Sequence, residues 1–183
     1  NWWNLYRYST TTDIHAVYSM RAEFGQPQWI FALSSFDFLD AARLICAYCK
    51  DARWHLGILH IKQGNLQQLD ISYTEIQYVR AWRDQVVFCG ASPSEALSVI
   101  LLNVSSNQTQ ALQKSNNQNL SEFTVIEAET IEVDDRQGAH SYGLLYQPKQ
   151  ELDSGCQLQP LLMLCHGGPT SMVVNALDWR IQY

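Results

Sequence analysis

The residues best placed to do chemistry lie near the C-terminal end, in Pro160 to Pro169, PLLMLCHGGP. Leu161, Leu162, Met163, Leu164 and Cys165 form an unbroken apolar run, closed by His166, Gly167, Gly168 and Pro169. The pattern is that of a fully buried strand ending in a tight loop. Two adjacent glycines let the backbone bend without a Cβ and approach a bound group, so that their N–H donors can face a developing oxyanion. The same four residues also suit an ordinary strand-ending turn, and the flanks have to decide. His166 carries the imidazole expected of a general base.

Other reactive types are scattered. Cys46 and Cys49 form a CxxC, a spacing used for zinc or redox sites. Both fall in one expected strand, three residues apart, so their side chains point to opposite faces, and no second CxxC exists. His55 and His60 likewise face opposite ways, and neither pair makes a metal site. His140 and the acidic pair Asp134-Asp135 flank an expected turn and read as a solvated hairpin tip. Glu23, in AEFGQP, is a loop carboxylate with two readings, a solvated surface charge or an anion that receives an amine.

The elements that would position these groups are mostly strands. The chain has 183 residues, a net charge of −6 and 46% apolar against 16% charged residues. That composition builds a core, leaves no basic footprint for nucleic acid and offers no polybasic membrane patch. No apolar run approaches the ~18 residues of a membrane span, and no signal peptide opens the chain. Five cysteines at irregular spacing argue against a disulfide framework and for a reducing, cytoplasmic setting. The glycosylation-type triplets at Asn103, Asn107 and Asn119 sit in an Asn/Gln/Ser-rich stretch and carry no weight. No cofactor motif is present.

Residues 1–114 read as all-β, with short aromatic and β-branched runs between polar turns. Strands are expected at Trp2–Tyr8, Trp29–Phe38, Leu44–Cys49, Trp54–Ile61 and Leu66–Ile71, with a looser polar stretch over Ser9–Gln28. A second set follows at Ile76–Trp82, Val86–Cys89, Leu97–Val104 and Thr109–Leu112. A shift of 43 residues lays Leu44-Ile45-Cys46 on Val87-Phe88-Cys89 and Ile58-Leu59 on Leu101-Leu102 without a gap. A four-strand unit at that period is the mark of β-propeller blades, here about two and a half of them, with Trp2–Tyr8 as third strand of an earlier blade. An antiparallel sandwich is the structural alternative, which the internal repeat disfavours. Trp54 and Trp82 are expected in the blade core. Residues 115–122 read as a linker, and residues 123–183 as a second, truncated domain. Its expected strands are Val125–Val133, Ser141–Tyr146 and Leu161–Cys165, with a helix beginning at Asn175–Tyr183.

The tail PLLMLCHGGPTSMVVNALDWRIQY resembles the start of the catalytic domain in the prolyl oligopeptidase family of serine peptidases, particularly its acylaminoacyl-peptidase and dipeptidyl-peptidase-like branch. Trp2-Trp3-Asn4-Leu5-Tyr6-Arg7 and Glu23-Phe24-Gly25-Gln26-Pro27-Gln28-Trp29 extend the likeness upstream. The resemblance implies a propeller over an α/β-hydrolase domain, short peptides as substrates, and the Gly168 N–H in the oxyanion hole. Gly167 and His166 then support the loop, because the base of an α/β-hydrolase follows its Ser and Asp. Glu23 becomes a candidate receiver of a peptide's amino terminus. No Gly-x-Ser-x-Gly elbow occurs in the chain, which starts without Met and reads as an inactive excerpt whose Ser-His-Asp triad lies beyond Tyr183. The competing expectation is a non-catalytic scaffold of the same architecture that binds partners.

Overall fold

The computed structural model describes residues 2–10, 13–27, 29–116, 124–134, 136, 138, 140–148, 160–168 and 171–182. Two four-stranded antiparallel sheets dominate, each a meander with strand order equal to chain order. The pair β1 (Leu5–Tyr8) and β2 (Ile14–Tyr18) forms a two-stranded sheet of its own, and the first four-stranded sheet contains β3 (Phe36–Phe38), β4 (Arg43–Lys50), β5 (Arg53–His60) and β6 (Asn65–Gln68). The second contains β7 (Glu75–Trp82), β8 (Gln85–Ser92), β9 (Glu95–Asn103) and β10 (Gln108–Lys114). A separate hairpin, β11 (Glu129–Asp134) with β12 (His140–Leu145), and the short α1 (Trp179–Gln182) follow.

The 43-residue shift carries β4, β5 and β6 onto β8, β9 and β10 with their starts within one residue. Core positions follow it: Ile45 and Phe88 are 0% and 1% exposed, and Leu59 and Leu102 both 0%. Each such side chain contributes about 1.5–3 kcal/mol by leaving water. The meander, the repeat and the stacking are consistent with successive propeller blades.

Strand β4 shows why the repeat must stack. Ile45, Ala47 and Cys49 point into one cluster with Ile76, Val79, Val86 and Phe88 of the second sheet. Leu44, Cys46 and Tyr48 point into another with Leu5, Ala22 and Phe24. The run is apolar throughout because successive side chains alternate between two buried faces. Strand β7 packs on β3, β4 and β5, so the sheets converge on the β3 and β7 side. Strand β10, on the far edge, is exposed along its length.

The C-terminal part meets the sheets at one end. Met172 packs against the larger cluster, the Leu177 N–H donates to the Ser92 carbonyl at 2.9 Å, and the Thr74 hydroxyl donates to the Asn175 carbonyl. The Gln182 amide then bonds both backbone groups of Ile126, at 2.8 Å each, tying α1 to the approach of β11.

Several expectations need correction. Only Phe36–Phe38 of the expected strand Trp29–Phe38 pairs in a sheet. The residues before it turn instead, with Ala32 at φ 64°, because Ser34 bonds Val79 of the second sheet through backbone and side chain alike. The polar stretch Ser9–Gln28 holds a strand, β2, completing a pair with β1. Its first three side chains are exposed, while Val17 and Tyr18 pack against the smaller core cluster. Trp82 is 66% exposed at the β7–β8 turn under the Arg83 guanidinium, whereas Trp54 is buried as expected. The expected buried strand Leu161–Cys165 is in no sheet and its leucines and methionine are 62–82% exposed. A strand is stabilised by partners on both edges and faces, and no described segment lies beside this one. Helix α1 begins at Trp179, four residues after the expected Asn175. Residues 117–122 of the expected linker, with Asn119 among them, and Phe123, Gln28, Asp135, Pro169, Thr170 and Tyr183 lie outside the described residues.

Candidate functional site

Glu23 is placed by its neighbours. Ala22 and Phe24 are 0% and 2% exposed in the cluster beneath β4, with Phe24 stacked on Tyr48 at 5.3 Å, so alternation turns the Glu23 side chain away from them. Its backbone bridges Cys49, N–H to carbonyl in both directions at 2.9 and 2.8 Å. The carboxylate Oε2 accepts the Trp3 N–H at 2.8 Å, while the Phe24 N–H donates to the Trp3 carbonyl at 2.7 Å. Asn4 Oδ1 accepts the Met20 N–H at 2.9 Å, completing the clamp on residues 3–4. The Trp3 ring lies on Gly25, where a Cβ would meet its Cε3 at 2.5 Å, so glycine is required by the close approach. The result is a half-buried carboxylate with one oxygen committed to Trp3 and Oε1 without a partner among the described residues. An immobilised carboxylate of this kind can hold an ammonium group by charge-assisted hydrogen bonds.

The end of the sheets that carries Glu23 also receives the C-terminal part. Cys49, which Glu23 pairs with, maps by the 43-residue repeat onto Ser92, which accepts from Leu177. The β4–β5 turn next to Cys49 includes Asp51, which lies near the Tyr142 hydroxyl of β12, itself donating to Glu132 at 3.3 Å. Glu23 and residues 172–177 are thus tied to equivalent strand ends of the two sheets, with β12 near the first. A cleft of about 480 Å³ opens at the second, lined in part by Glu75, Leu97, Val174, Leu177, Trp179 and Arg180. Burial pushes the Glu75 carboxyl above its ordinary range, partly offset by the Gln77 amide at 2.6 Å.

The glycine loop is described to Gly168. Gly168 has φ 75°, a left-handed conformation that favours glycine, and a Cβ there or at Gly167 would meet nothing. His166 is exposed. Among the described residues the loop is therefore open, with its backbone donors accessible.

Of the remaining candidates, Cys46 and Cys49 do point to opposite faces, into different clusters. Burial pushes each thiol up to about 12, with Glu23 and Asp51 adding to the effect at Cys49, so neither offers a thiolate. His55 stacks on Tyr48 at 5.3 Å and burial lowers its pKa. At the hairpin tip, His140 Nδ1 lies 2.7 Å from Asp134 Oδ1 and 2.9 Å from Glu132 Oε1, with all three side chains exposed. These three are the set of described side chains that could converge on a metal ion. Sequence reasoning missed Trp3 as the partner of Glu23 and the turning of residues 29–35, which it read as strand.

No protein-family model matches the chain, and no curated protein matches it by sequence. Solved structures do. A crystal structure of puromycin hydrolase superposes with a TM-score of 0.85 at 23% identity, over 100% of this chain and 28% of the other. A mutant of that hydrolase complexed with PGG gives the same values. A puromycin-hydrolyzing peptidase of Mycobacterium tuberculosis superposes with a TM-score of 0.80 at 22% identity, over 97% of this chain and 28% of that one. The chain shares the fold of one portion of these peptidases and spans about 28% of their length.

Proposed function

We propose that this chain belongs to a serine peptidase of the prolyl oligopeptidase family, covering the last propeller blades and the start of its α/β-hydrolase domain. In the longer protein a serine attacks the scissile carbonyl of a short peptide, a histidine acts as base and an Asp orients it, and the Gly168 N–H helps bind the oxyanion. His166 and Gly167 support that loop. Glu23 holds the peptide's free amino terminus.

The observation that supports this reading is that Glu23 and residues 172–177 are tied to equivalent strand ends of the two sheets, Glu23 through Cys49 and the C-terminal segment through Ser92. A carboxylate that anchors an amine is useful only if it faces the domain that cuts the chain, and residues 172–177 begin four residues after Gly168. The likeness to two puromycin-hydrolysing peptidases supports the same reading. Among the described residues no helix is long and apolar enough to cross a membrane, and Cys46, Cys49, Cys89 and Cys165 are free thiols, which suits a cytoplasmic setting.

The test is labelling of the longer protein with a fluorophosphonate probe and mapping of the modified residue. A labelled serine in a Gly-x-Ser-x-Gly context following Tyr183 is the expected result. Absence of labelling on folded protein would instead favour a non-catalytic scaffold that binds peptides or partners.

A further inference from the structure

The segment that follows the glycine loop is gripped at one corner of the second sheet. Thr74, the residue before β7, and Ser92, the last of β8, meet there, with the Thr74 N–H donating to the Ala91 carbonyl at 2.8 Å. Both are buried. The Thr74 carbonyl accepts the Trp54 N–H of β5 at 3.1 Å, so the first sheet braces the same corner. From this corner the Thr74 hydroxyl donates to the Asn175 carbonyl, and the Ser92 carbonyl accepts the Leu177 N–H at 2.9 Å. Met172 adds a further hold by packing against the larger cluster. Of the two hydrogen bonds, the one from Ser92 uses a carbonyl that every residue carries, whereas the one from Thr74 exists only because a hydroxyl stands at that position.

The glycine loop has no comparable support of its own. His166 is exposed, a Cβ at Gly167 or Gly168 would meet nothing, and residues 161–164 are in no sheet. Among the described residues, the anchors nearest to Gly168 along the chain are therefore those of residues 172–177. The step from Gly168 to Met172 spans at most about 14 Å of extended chain. So short a tether passes a displacement of its fixed end on to the loop. An oxyanion donor is useful only at hydrogen-bond distance from the developing charge, and a misplacement of about 1 Å costs on the order of a hundredfold in rate.

Resting on the reading of Gly168 as an oxyanion donor, we infer that the grip on residues 172–177, with Thr74 as its side-chain donor and Met172 as its apolar hold, positions that donor. Thr74 and Met172 are positioning residues: they act through the backbone that leads to the glycine loop, and the second sheet thereby contributes to the chemical step without touching substrate.

The experiment measures the second-order rate at which the longer protein is labelled by the fluorophosphonate probe, whose phosphoryl oxygen enters the oxyanion hole as the serine displaces fluoride. Thr74→Val keeps the shape of the buried side chain and removes its hydroxyl, and should slow labelling by about tenfold. Thr74→Ser, which keeps the hydroxyl, should restore most of the rate. Met172 is half-buried at the margin of the cluster, so Met172→Ala spares the core and should slow labelling comparably. The deciding arm repeats Thr74→Val and Met172→Ala in a Gly168→Ala background. There each should cost less than about twofold, because a residue that acts through Gly168 has nothing left to position. Labelling at the wild-type rate by folded Thr74→Val and Met172→Ala, or equal slowing with and without Gly168→Ala, overturns the inference, and the reading of Gly168 stands on its own slowing. If Gly168→Ala labels as fast as the wild type, or the longer protein does not label at all, both fall.

Discussion

Gly168 is the residue on which the proposed chemistry turns, and its backbone offers a direct test. At φ 75° an added Cβ strains the chain by about 1–2 kcal/mol even though open space surrounds it. Gly168→Ala in the longer protein should therefore lower kcat by about tenfold or more with little change in KM, the pattern of an interaction made only in the transition state. Gly167→Ala, outside the left-handed region, should cost markedly less, and a comparison of the two by steady-state kinetics separates oxyanion binding from simple turn formation. Glu75 supplies a pH test. Its folded-state pKa is raised by burial, so the folded protein holds its proton more tightly than the unfolded chain, and stability falls as pH rises through and above 4.5. Glu75→Gln in the longer protein should remove that dependence, and the gain in melting temperature of the variant over the wild type should grow as pH rises above 4.5.

Among the elements, the β4–β5 hairpin is held by a two-residue turn whose central residues, Asp51 and Ala52, have φ 52° and 58°. Positive φ at both positions is what a type I′ turn demands and what the twist of a hairpin selects, although alanine is poorly suited to it. Ala52→Gly should stabilise the longer protein by about 1 kcal/mol, read as a rise in the denaturation midpoint without a change in slope. The corresponding β8–β9 turn uses Pro93 and Ser94 and a bulge between Gly90 and Ser92 instead, since proline cannot adopt positive φ. Two turns at equivalent places in the repeat thus reach the same hairpin by different chemistry. The β4–β5 turn brings Asp51 to Tyr142, and the β8–β9 turn brings Ser92 to Leu177.

At the scale of the whole molecule, large apolar side chains remain in solvent where the sheets and the C-terminal segment end. Tyr6, Tyr8 and Ile14 on β1 and β2 are 61–68% exposed, and Leu161 to Leu164 are 62–82% exposed. Exposed apolar patches and unpaired strand edges favour association. The 183-residue chain expressed alone should accordingly associate with concentration, lack a cooperative monomeric melt and show no serine-hydrolase turnover, since no nucleophile elbow occurs in it. A sharp, concentration-independent melt by calorimetry or any fluorophosphonate labelling of this chain would contradict that expectation.

The amino-acid sequence by itself determined the strands that are buried on both faces. Arg43–Lys50 and Gln85–Ser92 announce themselves as apolar runs, and the 43-residue repeat relates them, because stacked sheets require the same alternation at the same period. Glu23 was legible as a carboxylate in a turn-forming motif, and Gly168 as a residue free to adopt the φ it has. Tertiary structure alone decided the rest. The exposed strand β2 forms because β1 lies beside it, residues 29–35 leave the extended state because β7 offers Ser34 and Gln26 partners, and Glu23 acquires a fixed position only through Trp3 and Cys49, 20 and 26 residues away. Local pattern reports what a residue prefers when its neighbours in the chain dominate. Pairings of this kind depend on backbone donors and acceptors that every residue carries, so side-chain pattern has no means of announcing them.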